Sequence, residues 1–398
     1  MGFLTVQTSM RLRRRLTRLI GKSLLVGWWL LAGHGGFGQI RYGSISSIRL
    51  PLDTVRVHLI AVQDSIVNDT LFQIVSKEGY PTAYYRKIKT SVCFDNLCRL
   101  LNTTLFWNPT GRYMGFELPQ GEFLSKGEHK PFTPAEYQRL DSLLGNPFSP
   151  LSTMAYSELA PTVKLTSEQS KVDGVSSATA KNVLEYVVEG AAYTTYKMWH
   201  VLYGKTQETV RQLTIRELSP DFLLILLDSH DGTDKLWGLN QSRRIVSPTA
   251  ELERKILTFI NEANYNLAER AIYALAPEVP GKIWQVDLAQ KLNTTGYAIR
   301  KLILQKFTEV PQLDVQAKGF LVNSLKILNG DLIGLLLDVF RRHHLTDDQT
   351  SRLVSELLLQ SNNFVGRKAF AYLEQIPVRD ELVQKRLTEY RQKNNIKL

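Results

Sequence analysis

Leu267-Ala268-Glu269-Arg270-Ala271-Ile272 sets the frame in which the second half of the chain is read. Tyr297-Ala298-Ile299-Arg300-Lys301-Leu302 and Phe364-Val365-Gly366-Arg367-Lys368-Ala369 share its register, arginine included. Leu332-Ile333-Gly334-Leu335 keeps the apolar frame without the arginine. The leading residues are spaced by about 30 to 35, which is the length of two helices and two turns. Segments 252–260, 283–292 and 345–359 supply the partner helices, and Asn266, Asn293, Asn329 and Asn363 stand near the starts of the second helices, where a cap is wanted. One helical hairpin cannot bury its own apolar face, so stacking of successive hairpins must supply the core. Residues 206–398 are therefore expected to form an all-α helical-repeat domain, opened by a helix at Ser219-Pro220-Asp221 (cap, first-turn proline, acidic first turn).

Residues 39–205 read differently, as a small mixed domain, so that the fold class is α+β followed by an α-solenoid. Segments 55–62, 71–75, 101–107 and 113–118 alternate as strands, the last two joined by a turn at Asn108-Pro109-Thr110-Gly111. Thr133-Pro134-Ala135-Glu136 is a capping box with proline at the first helical position; it opens a helix that buries Tyr137, Leu140, Leu143 and Leu144 and ends near Gly145. Residues 146–171 read as loop. A second helix is expected from Ser177 toward Gly204, with Ala180, Val183, Leu184, Val187, Val188, Ala191 and Ala192 on one face.

Composition is that of a globular protein, 43% hydrophobic and 22% charged, which excludes collagen-like, disulfide-dense and wholly disordered classes. The net charge of +11 is concentrated at the start. Arg11, Arg13, Arg14, Arg15, Arg18 and Lys22 contribute six charges with no acid before residue 39, leaving +5 on the remaining 360 residues. That balance does not argue for nucleic acid. The basic run precedes an apolar stretch from Ser23 to Gly33, shorter than the roughly 20 residues needed to span a bilayer. Gly36 and Gly38 then place small residues before a cut after Gly38. Residues 1–38 are thus expected to be a cleaved signal peptide, the alternative being an uncleaved anchor, and the product to be periplasmic or secreted with no membrane span. An oxidising compartment gives Cys93 and Cys98 meaning. Asp95-Asn96 reads as a hairpin loop that sets the two cysteines opposite one another in a non-hydrogen-bonded pair, close enough for a disulfide. A redox-active or metal-binding pair is the weaker alternative.

Asp173-Gly174-Val175-Ser176-Ser177-Ala178-Thr179 resembles the Asp-x-x-Ser/Thr-Gly-Ala-Thr/Ser motif of the FMN-binding domain family. The resemblance implies that a flavin transferase joins FMN through its phosphate to the hydroxyl of Thr179, with Asp173, Ser176 and Ala178 at the other fixed positions. Ser177 stands where that family normally has glycine. A phosphodiester at Thr179 would lie in the first turn of the expected helix, where free backbone N–H groups favour an anion, with Lys171 and Lys181 adding charge. Trp107, Tyr113, Phe116 and Tyr193 are candidate neighbours for the flavin ring. The repeats, in turn, resemble HEAT-like α-solenoids.

Other chemistry is sparse. Asp228, His230, Asp231 and Asp234 form an acidic loop capable of attracting a cation, His129 lies among charged residues without a nucleophile pattern, and His343-His344 follows Arg341-Arg342 at a helix end. No Gly-x-Gly-x-x-Gly, phosphate-binding loop or His-Glu-x-x-His motif occurs. The expected function is an exported electron-transfer protein, a carrier rather than a stand-alone catalyst, whose helical repeats dock a protein partner. The alternative is a periplasmic interaction protein whose α+β domain carries no cofactor.

Overall fold

The computed structural model describes residues 39–43, 50–60, 66, 68–92, 99–159, 181–245, 248–276 and 284–396. An antiparallel six-stranded sheet precedes a mostly helical region. Its strands are β1 (Arg41–Gly43), β2 (Leu52–Leu59), β3 (Thr70–Ser76), β4 (Pro81–Thr90), β5 (Leu101–Trp107) and β6 (Tyr113–Glu117), in the order β1-β6-β5-β4-β3-β2. The alternation that marked the third and fifth strands becomes alternate burial: Leu71, Gln73 and Val75, and Leu101, Thr103, Leu105 and Trp107, face the core. The sequence reading gives β4 only as the first arm of the Cys93 hairpin, because its inward row of Thr82, Tyr84, Arg86, Ile88 and Thr90 mixes polar with apolar residues. Arg86 is wholly buried there and donates to the Asn68 carbonyl at 2.9 and 3.1 Å and to Thr206 Oγ1 at 2.8 Å. β4 and β5 set Thr90 opposite Leu101, the register that the hairpin reading of Cys93 and Cys98 requires; the two cysteines lie outside the described residues.

The Thr133 capping box forms as read. Glu136 N–H donates to Thr133 Oγ1 at 3.4 Å and Thr133 N–H to Glu136 Oε2 at 2.7 Å, opening α1 (Pro134–Leu144). The second expected helix is corrected. Lys181–Val183 is a single 3₁₀ turn, and the α-helix begins only at α2 (Ala192–Leu202). Gly190 breaks the run with φ +73°, and Arg139 of α1 takes the carbonyls that a continuing helix would use. α3 (Lys205–Arg216) then packs on the sheet. It buries Thr206, Val210 and Thr214, and Gln207 Nε2 donates to the Gly111 carbonyl at 2.7 Å. The apolar core changes hands between Val210, which belongs with the sheet, and Phe222, which belongs with the helices, beyond the expected division at 205.

From there helices alternate between two layers. One layer holds α4 (Pro220–Leu227), α6 (Ala250–Thr258), α8 (Trp284–Gln290), α10 (Val315–Asn323), α12 (Asp348–Glu356) and α14 (Glu381–Lys393); the other holds α5 (Gly232–Ser242), α7 (Tyr265–Ala274), α9 (Tyr297–Glu309), α11 (Gly330–Arg342) and α13 (Asn363–Leu373). Within the second layer each helix packs on the next, α5 on α7, α7 on α9, α9 on α11 and α11 on α13. The repeat is written in the caps: Asp231, Asn264, Gly296, Asn329 and Asn362 stand at the N-caps of that layer. Asn264 and Asn362, rather than the expected Asn266 and Asn363, are the asparagines whose side chains accept the cap bonds. Asp314, Asp347 and Asp380 cap the helices of the first layer, and a cation on the preceding helix reaches two of them: Lys318 Nζ lies 2.8 Å from Asp347 and Arg352 Nε 2.5 Å from Asp380. α10 was not foreseen. Its buried residues Ala317, Leu321, Ser324 and Leu325 nevertheless share one helical face, with Val322 beside it. Among the described residues, no helix is long and apolar enough to cross a membrane.

One carboxylate joins the sheet to the array. Asp234, in the first turn of α5 and fully buried, accepts from Asn108 Nδ2 at 2.6 Å, Thr110 Oγ1 at 2.7 Å, Ser229 Oγ at 2.9 Å and Arg112 Nη2 at 3.0 Å. The β5–β6 turn is shaped to reach it. Asn108 Oδ1 accepts from Thr110 N–H and Arg112 N–H, and Gly111 takes φ +79°, where a Cβ would meet the Arg211 side chain at 2.9 Å. Burial opposes the charge on Arg112, but the bond and the charge of Asp234, with Asp231 close by, hold its pKa above the ordinary value.

Removing Asp234 leaves three polar groups and a guanidinium without their common acceptor. Asp234→Ala is expected to cost about 3 kcal/mol in denaturant unfolding followed by tryptophan fluorescence, near the lower end for breaking a buried ion pair; an effect below about 1 kcal/mol would show the junction to be dispensable. Acid should also weaken the array. Burial pushes the Asp347 carboxyl up, but Lys318 and the cap bonds from Thr350 outweigh it; the Arg352 bond and the Val383 cap bond hold Asp380 down. Carboxylates held below their unfolded range contribute stability that is present above about pH 4 and lost as pH falls through the lowered values. The melting temperature is thus expected to drop as pH falls below about 4, and Asp347→Asn with Asp380→Asn, which keep the caps, should flatten that drop.

Candidate functional site

The motif residues Asp173, Ser176, Ser177, Ala178 and Thr179 lie outside the described residues, which end at Leu159 before them and resume at Lys181 after them. Upstream, Leu159 is fully buried in the sheet core. Downstream, residues 181–191 form a strap across α1, with Val183, Val187 and Val188 buried in the same core. One guanidinium fixes the strap. Arg139 donates to the carbonyls of Leu184 at 2.9 Å, Glu185 at 3.0 Å and Val187 at 3.2 Å. The guanidinium fork thus satisfies three carbonyls that lie beyond the Lys181–Val183 turn, each through a charge-assisted bond. Farther along, Gly127 N–H donates to the Gly190 carbonyl at 3.0 Å and Val188 N–H to Thr195 Oγ1 at 3.2 Å. Lys181, at the start of the strap, is exposed.

The four aromatic candidates separate sharply. Trp107 and Phe116 are completely buried, and Trp107 Nε1 donates to the Leu202 carbonyl at 2.9 Å. Tyr113 is buried with its hydroxyl 2.7 Å from Asp141 Oδ1; burial, then the neighbouring carboxylate, push its pKa well up. These three are core residues and present no face to a ligand. Tyr193 is half-buried and packs on Tyr156 at 4.8 Å, which in turn meets Tyr196 edge-on at 5.3 Å; His200 lies 4.0 Å beyond Tyr196. Of the group, only Tyr193 has the exposure that a planar ring requires.

The cluster also explains how the proline-containing stretch 146–156 keeps its shape. Trp199 Nε1 donates to the Asn146 carbonyl at 3.0 Å, Tyr196 to Met154 at 3.0 Å and Tyr203 to Leu144 at 2.6 Å, while His200 Nε2 lies 3.0 Å from the Leu151 carbonyl. Burial lowers the pKa of His200, favouring the neutral ring that such a packed position needs.

The acidic loop is occupied by the protein's own cations and donors. Asp228 pairs with Lys255, Asp231 caps α5 and lies 3.2 Å from Arg112, and Asp234 is the junction described above. Among the described residues no group of three His, Cys, Asp or Glu side chains is arranged to hold a metal ion. His129 is exposed at a left-handed position, φ +56°, and His343 Nε2 lies 2.9 Å from the Phe307 carbonyl. A polar chain on the sheet had no signature in the sequence. His58 Nε2 meets Gln73 Oε1 at 2.8 Å, and the buried Gln73 amide donates to Tyr84 at 3.1 Å and to Glu217 at 2.7 Å. Glu217 also pairs with Arg56 at 2.9 Å, so the chain ties β2 to the end of α3.

Arg139→Ala should release the strap: backbone amide exchange over residues 184–191 is expected to rise about tenfold, equivalent to about 1.4 kcal/mol. Arg139→Lys should recover part of the protection, since an ammonium lacks the fork that spans three carbonyls; unchanged exchange in both would show that the strap stands without Arg139. No family model matches the chain, and no curated protein matches it either.

Proposed function

We propose that the chain is an exported electron-transfer protein carrying FMN on Thr179, with a HEAT-like helical array that docks a protein partner. The observation that carries this reading is the Asp173–Thr179 motif, six of whose seven places agree with the FMN-binding family pattern. The bound flavin would supply the one- and two-electron chemistry, and the protein would supply its attachment, orientation and surroundings. Two features of the chain favour the attachment. The described chain resumes at Lys181, and Arg139 straps residues 184–187 to α1. Tyr193 and Tyr156 offer a half-open aromatic surface, Tyr156 lying just upstream of the motif segment. Cleavage after Gly38 would leave only two residues ahead of β1.

A second reading, a periplasmic interaction protein without cofactor, has its own support. Ser177 replaces the glycine of the family pattern, and Trp107, Tyr113 and Phe116 are consumed by the core. Intact mass after co-expression with a flavin transferase separates the two. The expected result is a processed chain heavier by one attached FMN, yellow and fluorescent after denaturation, with the addition lost in Thr179→Ala. A chain that carries no added mass with the transferase present overturns the flavin reading and leaves the interaction protein.

A further inference from the structure

The face of the sheet turned away from α1–α3 is not covered by any described element. The strand registers place its side chains in rows: Val57 is opposite Phe72, Phe72 opposite Tyr85 and Tyr85 opposite Phe106, while Val55 is opposite Ile74. β2 ends the sheet, and its aliphatic residues protrude, with Val55 47%, Val57 60% and Leu59 87% exposed. The aromatic residues are used in a particular way. Phe72 and Tyr85 stack at 4.6 Å with an interplanar angle of 4°, a separation close to the spacing between strands, so their ring faces cover one another and their edges point outward. Such a ridge offers no flat surface to a base, a sugar or a flavin. It offers apolar edges and aliphatic tips.

The charges beside the ridge are basic. Lys87 and Lys89 emerge from β4 on the same face, and the Lys87 ammonium lies 5.9 Å from the centre of the Phe72 ring, its stem along the apolar row. Two acids border this part of the face: Glu117, engaged by Arg41 at 3.5 Å, and Glu122, engaged by Arg99 at 2.6 Å with Lys89 adding to the positive charge that lowers its pKa. Aliphatic tips ahead of exposed lysines are the arrangement by which a protein surface enters a lipid interface: apolar side chains insert, and ammonium groups stay with anionic headgroups.

We propose that this face, centred on Val57, Leu59, Phe72 and Lys87, docks the protein on an anionic lipid surface. The commitment to lipid rests on charge complementarity and on the protrusion of Val55, Val57 and Leu59 from the edge strand. The proposal is independent of the flavin reading, since no motif residue takes part.

Co-sedimentation of the full chain with vesicles tests it, using equal parts phosphatidylglycerol and phosphatidylcholine against phosphatidylcholine alone. Binding is expected to the anionic vesicles and to fall at high salt. Lys87→Gln and Lys89→Gln should each weaken it about fivefold, the effect of one lysine near a charged surface, and Val57→Asp with Leu59→Asp should abolish it. All variants keep residues 1–38 as they occur in the parent, so any affinity of that apolar segment is common to every sample. Near-ultraviolet circular dichroism of buried Trp107 reports whether the sheet is intact, and the lysine variants, being wholly on the surface, keep the test decisive if the aspartate pair does not fold. Equal binding to neutral vesicles, binding indifferent to all four substitutions, no binding, or a dimer abolished by Val57→Asp (the face then meeting a second copy) would each overturn the proposal.

Discussion

The carboxylate of Asp234 is a shared acceptor for two structures built on different rules. The sheet is held by long-range strand pairing, the array by contacts between neighbours in sequence, and neither rule specifies how one is set against the other. A buried charge does so, because it is tolerable only if every lone pair is used and the opposite charge is near. Asn108, Thr110 and Arg112 come from one tight turn and Ser229 from the end of α4, so the turn and the first helical hairpin fit each other in one arrangement. Tyr80 stacked on Phe222 at 5.2 Å adds apolar contact beside it.

Beyond that junction the array is held by a short list of bonds recurring at the repeat spacing. Glu262 accepts from Gly296 N–H at 2.6 Å, Tyr297 bonds Asp331, and Arg341 Nε donates to Gln375 Oε1 at 2.7 Å, each joining equivalent places in successive hairpins. Exposed pairs of this kind contribute little singly. Their regularity sets the register of one hairpin on the next, and the apolar layers between them supply the stabilisation.

What could be read from the residues alone follows from which signals are local. The capping box at Thr133, the cap at Ser219 and the spacing of helices in the second half depend on residues a few positions apart, and they appear where expected. The helix expected from Ser177 does not, because its apolar spacing is helical while the residues that break it are Gly190 and an arginine more than forty positions upstream. β4 is legible only where it enters the Cys93 hairpin, because farther back a buried Arg86 with partners from Asn68 and Thr206 looks, in sequence, like a surface residue. The acidic loop looked like a cation site for the same reason: nothing nearby in sequence shows that Arg112 and Lys255 neutralise it. The stretch from Asp173 to Thr179 is a likeness in residue types alone, and the three core aromatic residues among its candidate neighbours show how little such a likeness says about which side chains remain free to meet a ligand.

The array has a direction. Its first hairpin is riveted to the sheet through Asp234, and each later hairpin is set on the one before it. Since a hairpin leans mainly on its neighbours, the array can loosen one hairpin at a time. Among the described hairpins, the last to let go is the one clasped to the strands.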